Sequence, residues 1–101
     1  MIDGMIGGKL HGKPAQRVGQ SGKAFVTAKV RTPTANGDAL FVNVIVFSES
    51  VGASLLALDD GDSVSISGAL TPKAWTDRSG EVKPSLDMVA HALLTTYHVT
   101  R

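Results

Sequence analysis

Residues 23–47 read KAFVTAKVRTPTANGDALFVNVIVF, and two stretches of this segment alternate with a period of two. Over Lys23–Thr32 the even positions are Ala24, Val26, Ala28 and Val30, and the odd ones are Lys23, Phe25, Thr27, Lys29 and Arg31. Successive side chains leave a strand on opposite faces, so the pattern predicts a small apolar face for a core and an outer face with an aromatic among cations. Leu40–Phe47 repeats the arrangement: Leu40, Val42, Val44 and Val46 on one side, Phe41, Asn43, Ile45 and Phe47 on the other. Its wealth of Val, Ile and Phe suits a half-buried strand. Between the two, Thr34–Asp38 contains Asn36-Gly37, a dipeptide that tolerates positive φ and marks a hairpin.

Working outward, Ile2–His11 reads as an N-terminal strand, weakened or bulged by Gly4, Gly7 and Gly8. Ser48–Leu58 breaks the alternation: Val51, Leu55 and Leu58 recur at helical spacing, Ser48 or Ser50 caps, and Asp59-Asp60-Gly61 stops the helix. Ser63–Leu70 alternates again. Ala74–Pro84 carries Trp75 and a turn at Asp77-Arg78-Ser79-Gly80, and Leu86–Val99 reads as the last strand. Three strands, a short helix, a strand with a projecting hairpin and a final strand make an all-β chain. That order predicts a five-stranded Greek-key barrel, the OB-fold, with one short helix between strands 3 and 4. A split β-sandwich is the competing architecture, but it wants about seven strands.

The chain has 101 residues, 43% of them hydrophobic, which suits one soluble domain spanning 1–101. No cysteine is present, so disulfides, thiolate metal sites and a cysteine nucleophile are excluded. Met1-Ile2-Asp3-Gly4 lacks the basic region and apolar run of a secretory signal, and no apolar stretch nears the roughly 20 residues of a membrane helix. The expected location is the cytoplasm. The net charge of +1 hides a segregation. Residues 1–31 hold six cations against Asp3 alone, residues 32–70 hold five carboxylates and no Lys or Arg, and residues 71–101 are nearly balanced. A polybasic binder is excluded by the total; a local basic face is not.

Catalytic motifs are missing: no G-x-S-x-G, P-loop, dinucleotide fingerprint or H-E-x-x-H occurs. His11, His91 and His98 are not at a recognised metal spacing, and Asp59, Asp60 and Asp62 read as turn chemistry, without the spacing of a calcium loop. The expectation is a binding protein with no enzymatic activity, no cofactor and no metal. Five aromatics are available: Phe25, Phe41, Phe47, Trp75 and Tyr97. The three Phe residues share the odd face with Lys23, Lys29 and Arg31. Rings that stack bases at about 1–3 kcal/mol each, beside cations that follow phosphates, make a single-strand binder. The same rings also suit a core, were the faces inverted, or a subunit interface. Trp75 lies between Lys73 and Arg78 next to a turn, where an exposed ring is costly unless it binds something or folds back on the barrel. Tyr97 is assigned to packing.

Gly61-Asp62-Ser63-Val64-Ser65-Ile66-Ser67-Gly68-Ala69-Leu70, followed by Lys73-Ala74-Trp75-Thr76-Asp77-Arg78-Ser79-Gly80, resembles the bacterial single-stranded DNA-binding protein family. The family carries a similar G-D-x-V-x-I-x-G-x-L strand and K-W-T-D-x-x-G hairpin. Ile6–Leu10 is similar to its first strand and Leu40–Phe47 to its third. The resemblance implies that Trp75, Phe41 and Phe47 stack bases, and it sets Asn43 where the family often has a basic contact. Arg17, Arg31, Lys73, Arg78 and Lys83 fall near the DNA-contacting cations of the family's short, tailless branch, and Lys29 joins them from the outer face of its own strand. Two features depart from the family: a short link after the second strand with no aromatic, and an end at Arg101 without the acidic tail that recruits other proteins. Met88–Ala92 resembles the last strand of the same short, tailless branch. That branch implies a homodimer that binds single-stranded DNA at the bacterial nucleoid and works with the replication-restart helicase and other primosome proteins. Alternative readings are a general single-strand coating protein without the tail, and a protein-interaction adaptor with weak DNA binding.

Overall fold

The computed structural model describes residues 2–95. The alternating segments become strands β1 (Ile2–Leu10), β3 (Ala24–Pro33), β4 (Ala39–Val46), β5 (Ser63–Thr76) and β6 (Val82–Thr95), with a short β2 (Ala15–Val18) and one helix, α1 (Glu49–Leu56). The ladder runs β1–β5–β6–β4–β3, and a second pairing of β1 with β3 closes it, Lys9 opposite Arg31 and Leu10 opposite Val30. The result is a closed five-stranded barrel with β2 added along β3, the OB-fold that the strand order predicts. β4 and β6 are parallel, Val42 opposite Leu86 through Ile45 opposite Val89. Parallel neighbours need a crossover, and α1 with β5 supplies it.

The even side of the central hairpin does face inward. Val26, Val30, Val42, Val44 and Val46 pack with Ile6, Leu10, Val64, Ile66, Met88 and Ala90, all buried. Each fully covered Val or Leu stabilises the fold by about 1.5–3 kcal/mol. The Asn-Gly turn closes as expected: Thr34 N donates to Asp38 O at 2.8 Å, and Gly37 takes φ +88°. Ser48 is the N-cap of α1, its hydroxyl accepting from Val51 N. Leu55 and Leu58 bring the helix end into the core. Gly52 sets the approach, since a Cβ there would stand 3.0 Å from Val26 Cγ2.

Three details differ from the sequence pattern. β2 was not expected: most of its residues are exposed, so pairing with β3 leaves no apolar rhythm to read. β5 and β6 do not stop at the barrel but continue as one paired arm to Thr76 opposite Val82, so Ser63–Leu70 and the Ala74–Pro84 hairpin are one element. The bulge lies elsewhere. β1 pairs β5 without interruption from Ile2 to Lys9, and the irregularity falls at Ser67/Gly68, where β6 carries His91 as its extra residue. A Cβ on Gly68 would lie 2.1 Å from Val89 O, so that backbone approach requires glycine. Tyr97 and the end of the Leu86–Val99 segment lie outside the described residues.

Candidate nucleic-acid interface

The outer face of the barrel is built by the odd residues of β3 and β4 and their neighbours on β2 and β6. Register fixes the rows. Arg17 stands opposite Phe25, Lys29 opposite Asn43, and Arg31 opposite Phe41. Across the parallel pair, Asn43 meets Asp87 and Ile45 meets Val89. The inverted-face alternative is therefore wrong: these Phe residues lie opposite the aliphatic core.

The aromatics form two stations. Phe41 is half-buried; the His11 ring meets it edge-on with centroids 5.1 Å apart, and Lys29 Nζ lies 5.9 Å from its centroid. A cation at that range is attracted to the ring face. Phe47, one residue beyond β4, is 63% exposed and leans on Phe25 at 6.1 Å and 49°. Both line an open cleft of about 480 Å³, floored by Val26 and Val46 and walled by Gly52, Ala53 and Leu56 of α1. Sequence reading grouped Phe25 with the other odd-face rings but did not place it at the site, and it missed His11 there.

A third station lies on the projecting arm. Trp75 is opposite Lys83 and remains 49% exposed, so the ring does not fold back on the barrel. Asp77 orders the tip: its Oδ1 accepts from Ser79 Oγ at 2.7 Å, Glu81 N at 2.9 Å and Ser79 N at 3.0 Å. Gly80 takes φ +83° to complete the turn. The Ser79 hydroxyl first, then the backbone amides and Lys83, hold the Asp77 carboxyl below the usual aspartate range. Arg78 is exposed in this turn, beyond the barrel face that holds the Phe residues.

Several expected phosphate contacts are engaged within the protein. Asn43 Nδ2 donates to Asp87 Oδ1 at 3.2 Å, and Lys73 Nζ pairs with Asp87 Oδ2 at 3.3 Å. Lys83 lies 3.7 Å from Asp77, and Arg17 Nε reaches Thr27 Oγ1 at 3.4 Å. Asp87 is the residue that a search for cations overlooked. Its alternation against buried Met88 was the available signal that it faces outward. The acidic turn is structural, as its spacing predicts: Asp60 accepts from Gly12 N, Asp62 from Asp59 N, and Asp59 pairs with Lys13.

An outer face with rings at three stations, Phe47 and Trp75 exposed and Phe41 half-buried, and cations beside them defines an oligonucleotide-binding barrel. The chain belongs to the single-strand binding protein family, whose model matches residues 1–96. It is a binding protein, not an enzyme, and its ligand class is single-stranded DNA. Among solved structures it is similar to a small single-stranded DNA-binding protein from Streptomyces coelicolor, at 19% identity and TM-score 0.73 over 93% of each chain. It is also similar to Rim1, a mitochondrial single-stranded DNA binding protein from S. cerevisiae, at 14% identity and TM-score 0.72 over 94% of each chain. No curated protein sequence matches the chain. Among the described residues, no helix is long and apolar enough to cross a membrane.

Proposed function

We propose that the protein is a single-stranded DNA-binding accessory factor of the replication-restart primosome, working as a homodimer at the bacterial nucleoid beside the restart helicase. Primosomal replication protein N is the family member that its Met88–Ala92 segment resembles. Trp75, Phe41 and Phe47 stack bases, while Arg17, Lys29, Arg31, Lys73, Arg78 and Lys83 follow the phosphates and Asn43 lies between them. The observation that carries this is the placement of Phe41 and Phe47 with Lys29 and Arg31 on the face opposite the core, with Trp75 exposed on the arm. The homodimer is supported by β1. From Ile2 to Gly8 it pairs only β5 among the described residues, and Met5 is 71% exposed beside that unpaired edge. An open antiparallel edge is self-complementary, and a second copy's β1 satisfies it.

Titrating oligo-dT while following Trp75 fluorescence tests DNA binding. Quenching at low salt is expected, with a log–log salt slope of about −0.7 per phosphate neutralised. Trp75→Ala, followed by the anisotropy of a dye-labelled oligo-dT because the chain's one tryptophan is then gone, weakens binding by about 1–3 kcal/mol, roughly 5- to 150-fold, at an unchanged slope. No saturable binding by the wild type at low salt overturns the reading. Capture of the restart helicase after nuclease treatment, by a protein that scatters light as a dimer, supports the primosomal role. A tetramer that captures no helicase favours a general coating protein instead.

A further inference from the structure

Lys9 stands directly opposite Arg31 where β1 meets β3 to close the barrel. The adjacent pair, Leu10 and Val30, is buried, so alternation turns both cations outward, and both are exposed. Like charges at directly opposed strand positions repel. Three basic side chains among the described residues have counter-charges, Lys13 on Asp59, Lys73 on Asp87 and Lys83 on Asp77, while the others have none; what sets Lys9 and Arg31 apart is that they face each other. Lys9 and Arg31 have no carboxylate within 4 Å among the described residues. The backbone holds them together: a Cβ on Gly8 would lie 2.4 Å from Arg31 O, so only glycine lets β1 come this near.

The two cations line an open depression of about 480 Å³ whose other walls are Gly7, Gly8, Pro33, Ser63 and Val64, with no acidic residue among them. On its far side Arg31 is opposite Phe41, the ring that His11 and Lys29 attend. An anion would relieve the repulsion of a pair that barrel closure holds together beside glycines and Ser63.

We propose that Lys9 and Arg31 form a phosphate-binding site at the β1–β3 closure, holding a phosphodiester of the single strand where it leaves Phe41 and crosses from the β3–β4 face onto β1. The inference rests on the single-stranded DNA reading and adds Lys9, and a route over the closure, to it.

The test compares wild type with Lys9→Gln and, as control, Lys13→Gln, whose ammonium pairs with Asp59 away from this route. In oligo-dT titrations across a salt series, Lys9→Gln binds several-fold more weakly with a slope shallower by about 0.7, while Lys13→Gln follows the wild type. In thermal melts at constant ionic strength, inorganic phosphate raises the Tm of wild type and of Lys13→Gln, and raises that of Lys9→Gln less. Lys9→Gln without phosphate melts no lower than wild type, since a repulsion has been removed. An unchanged DNA slope in Lys9→Gln overturns the route. Equal stabilisation of all three proteins by phosphate overturns the site. If wild type binds no oligonucleotide, the single-stranded reading fails and takes the route with it; a phosphate response lost only in Lys9→Gln then retains the anion site alone.

Discussion

Asp87 places a negative charge in the middle of the face proposed to hold a polyanion, and Asp87→Asn measures what that charge costs. The substitution is isosteric and keeps an acceptor for Asn43, but it releases Lys73, now held at 3.3 Å. A phosphate seated on Lys73 would stand about 6 Å from the carboxylate, a repulsion of about 0.7 kcal/mol at the dielectric of water and about 3 kcal/mol at an effective 20. The Asp87 side chain is 39% exposed, so the lower end applies, and salt screens it further. Affinity for oligo-dT is therefore expected to rise by about 1 kcal/mol, roughly fivefold. The gain shrinks as salt is added, because the freed ammonium contributes one more counterion-dependent contact. Stability moves the opposite way, by less than about 1 kcal/mol, the range for an exposed ion pair. Fluorescence titration at two salt concentrations, beside a urea melt of each protein, separates the two effects. Unchanged or weaker DNA binding by Asp87→Asn would refute the reasoning and make Asp87 a residue that aims Lys73 at the strand.

Gly8→Ala forces a Cβ against the Arg31 carbonyl and opens the barrel seam; a loss of at least about 1–3 kcal/mol is expected in urea unfolding, and a wild-type midpoint would contradict it. Leu55→Ala removes a side chain only 1% exposed and lowers stability by about 2–5 kcal/mol in the same measurement. The Asp77 carboxyl is held low, chiefly by the Ser79 hydroxyl, so its ordering of the arm tip is fully present above the unfolded value of about 3.9 and disappears as pH falls through the lower folded one. The Ser79 and Glu81 amide resonances should titrate with a midpoint below about 3.9; a midpoint at or above it rules the mechanism out.

Half-burial explains which parts of the fold were legible. β3 and β4 each have one covered side, so apolar and polar residues must alternate; of the even sets assigned to the core, Val26, Val30, Val42, Val44 and Val46 are buried, Ala28 and Leu40 are half-buried and Ala24, at the start of β3, is exposed. Thr71–Thr76 has no covered side, its order coming from backbone pairing with β6, and its extent was invisible for that reason. Glycines show the same limit. Gly8 and Gly68 are required by carbonyl oxygens of Arg31 and Val89, and neither the seam nor the bulge is written near them in the chain. At the site, the shared face of Phe41 and Phe47 followed from alternation alone. Their division into a ring hemmed by His11 and Lys29 and a ring tilted against Phe25 depended on how the strands end. Asn43 was read against an expected cation, whereas its actual partner is a carboxylate 44 residues away.

The parallel seam between β4 and β6 also governs the order in which the newborn chain can become a protein. Synthesis delivers the β3–β4 hairpin early, and its Asn-Gly turn lets it zip within microseconds. Its valine-lined side is then only partly covered, by Ile6 and Leu10 of β1 and later by Leu55, Val64 and Ile66, until the strand that joins Val42 to Leu86 is made. Contacts of that separation form slowly compared with local ones. Between Val46 and Leu86, about 40 residues of elongation, a translating ribosome thus carries a sticky five-valine ribbon, and β6 is the strand that ends its attraction for chaperones and for other nascent copies.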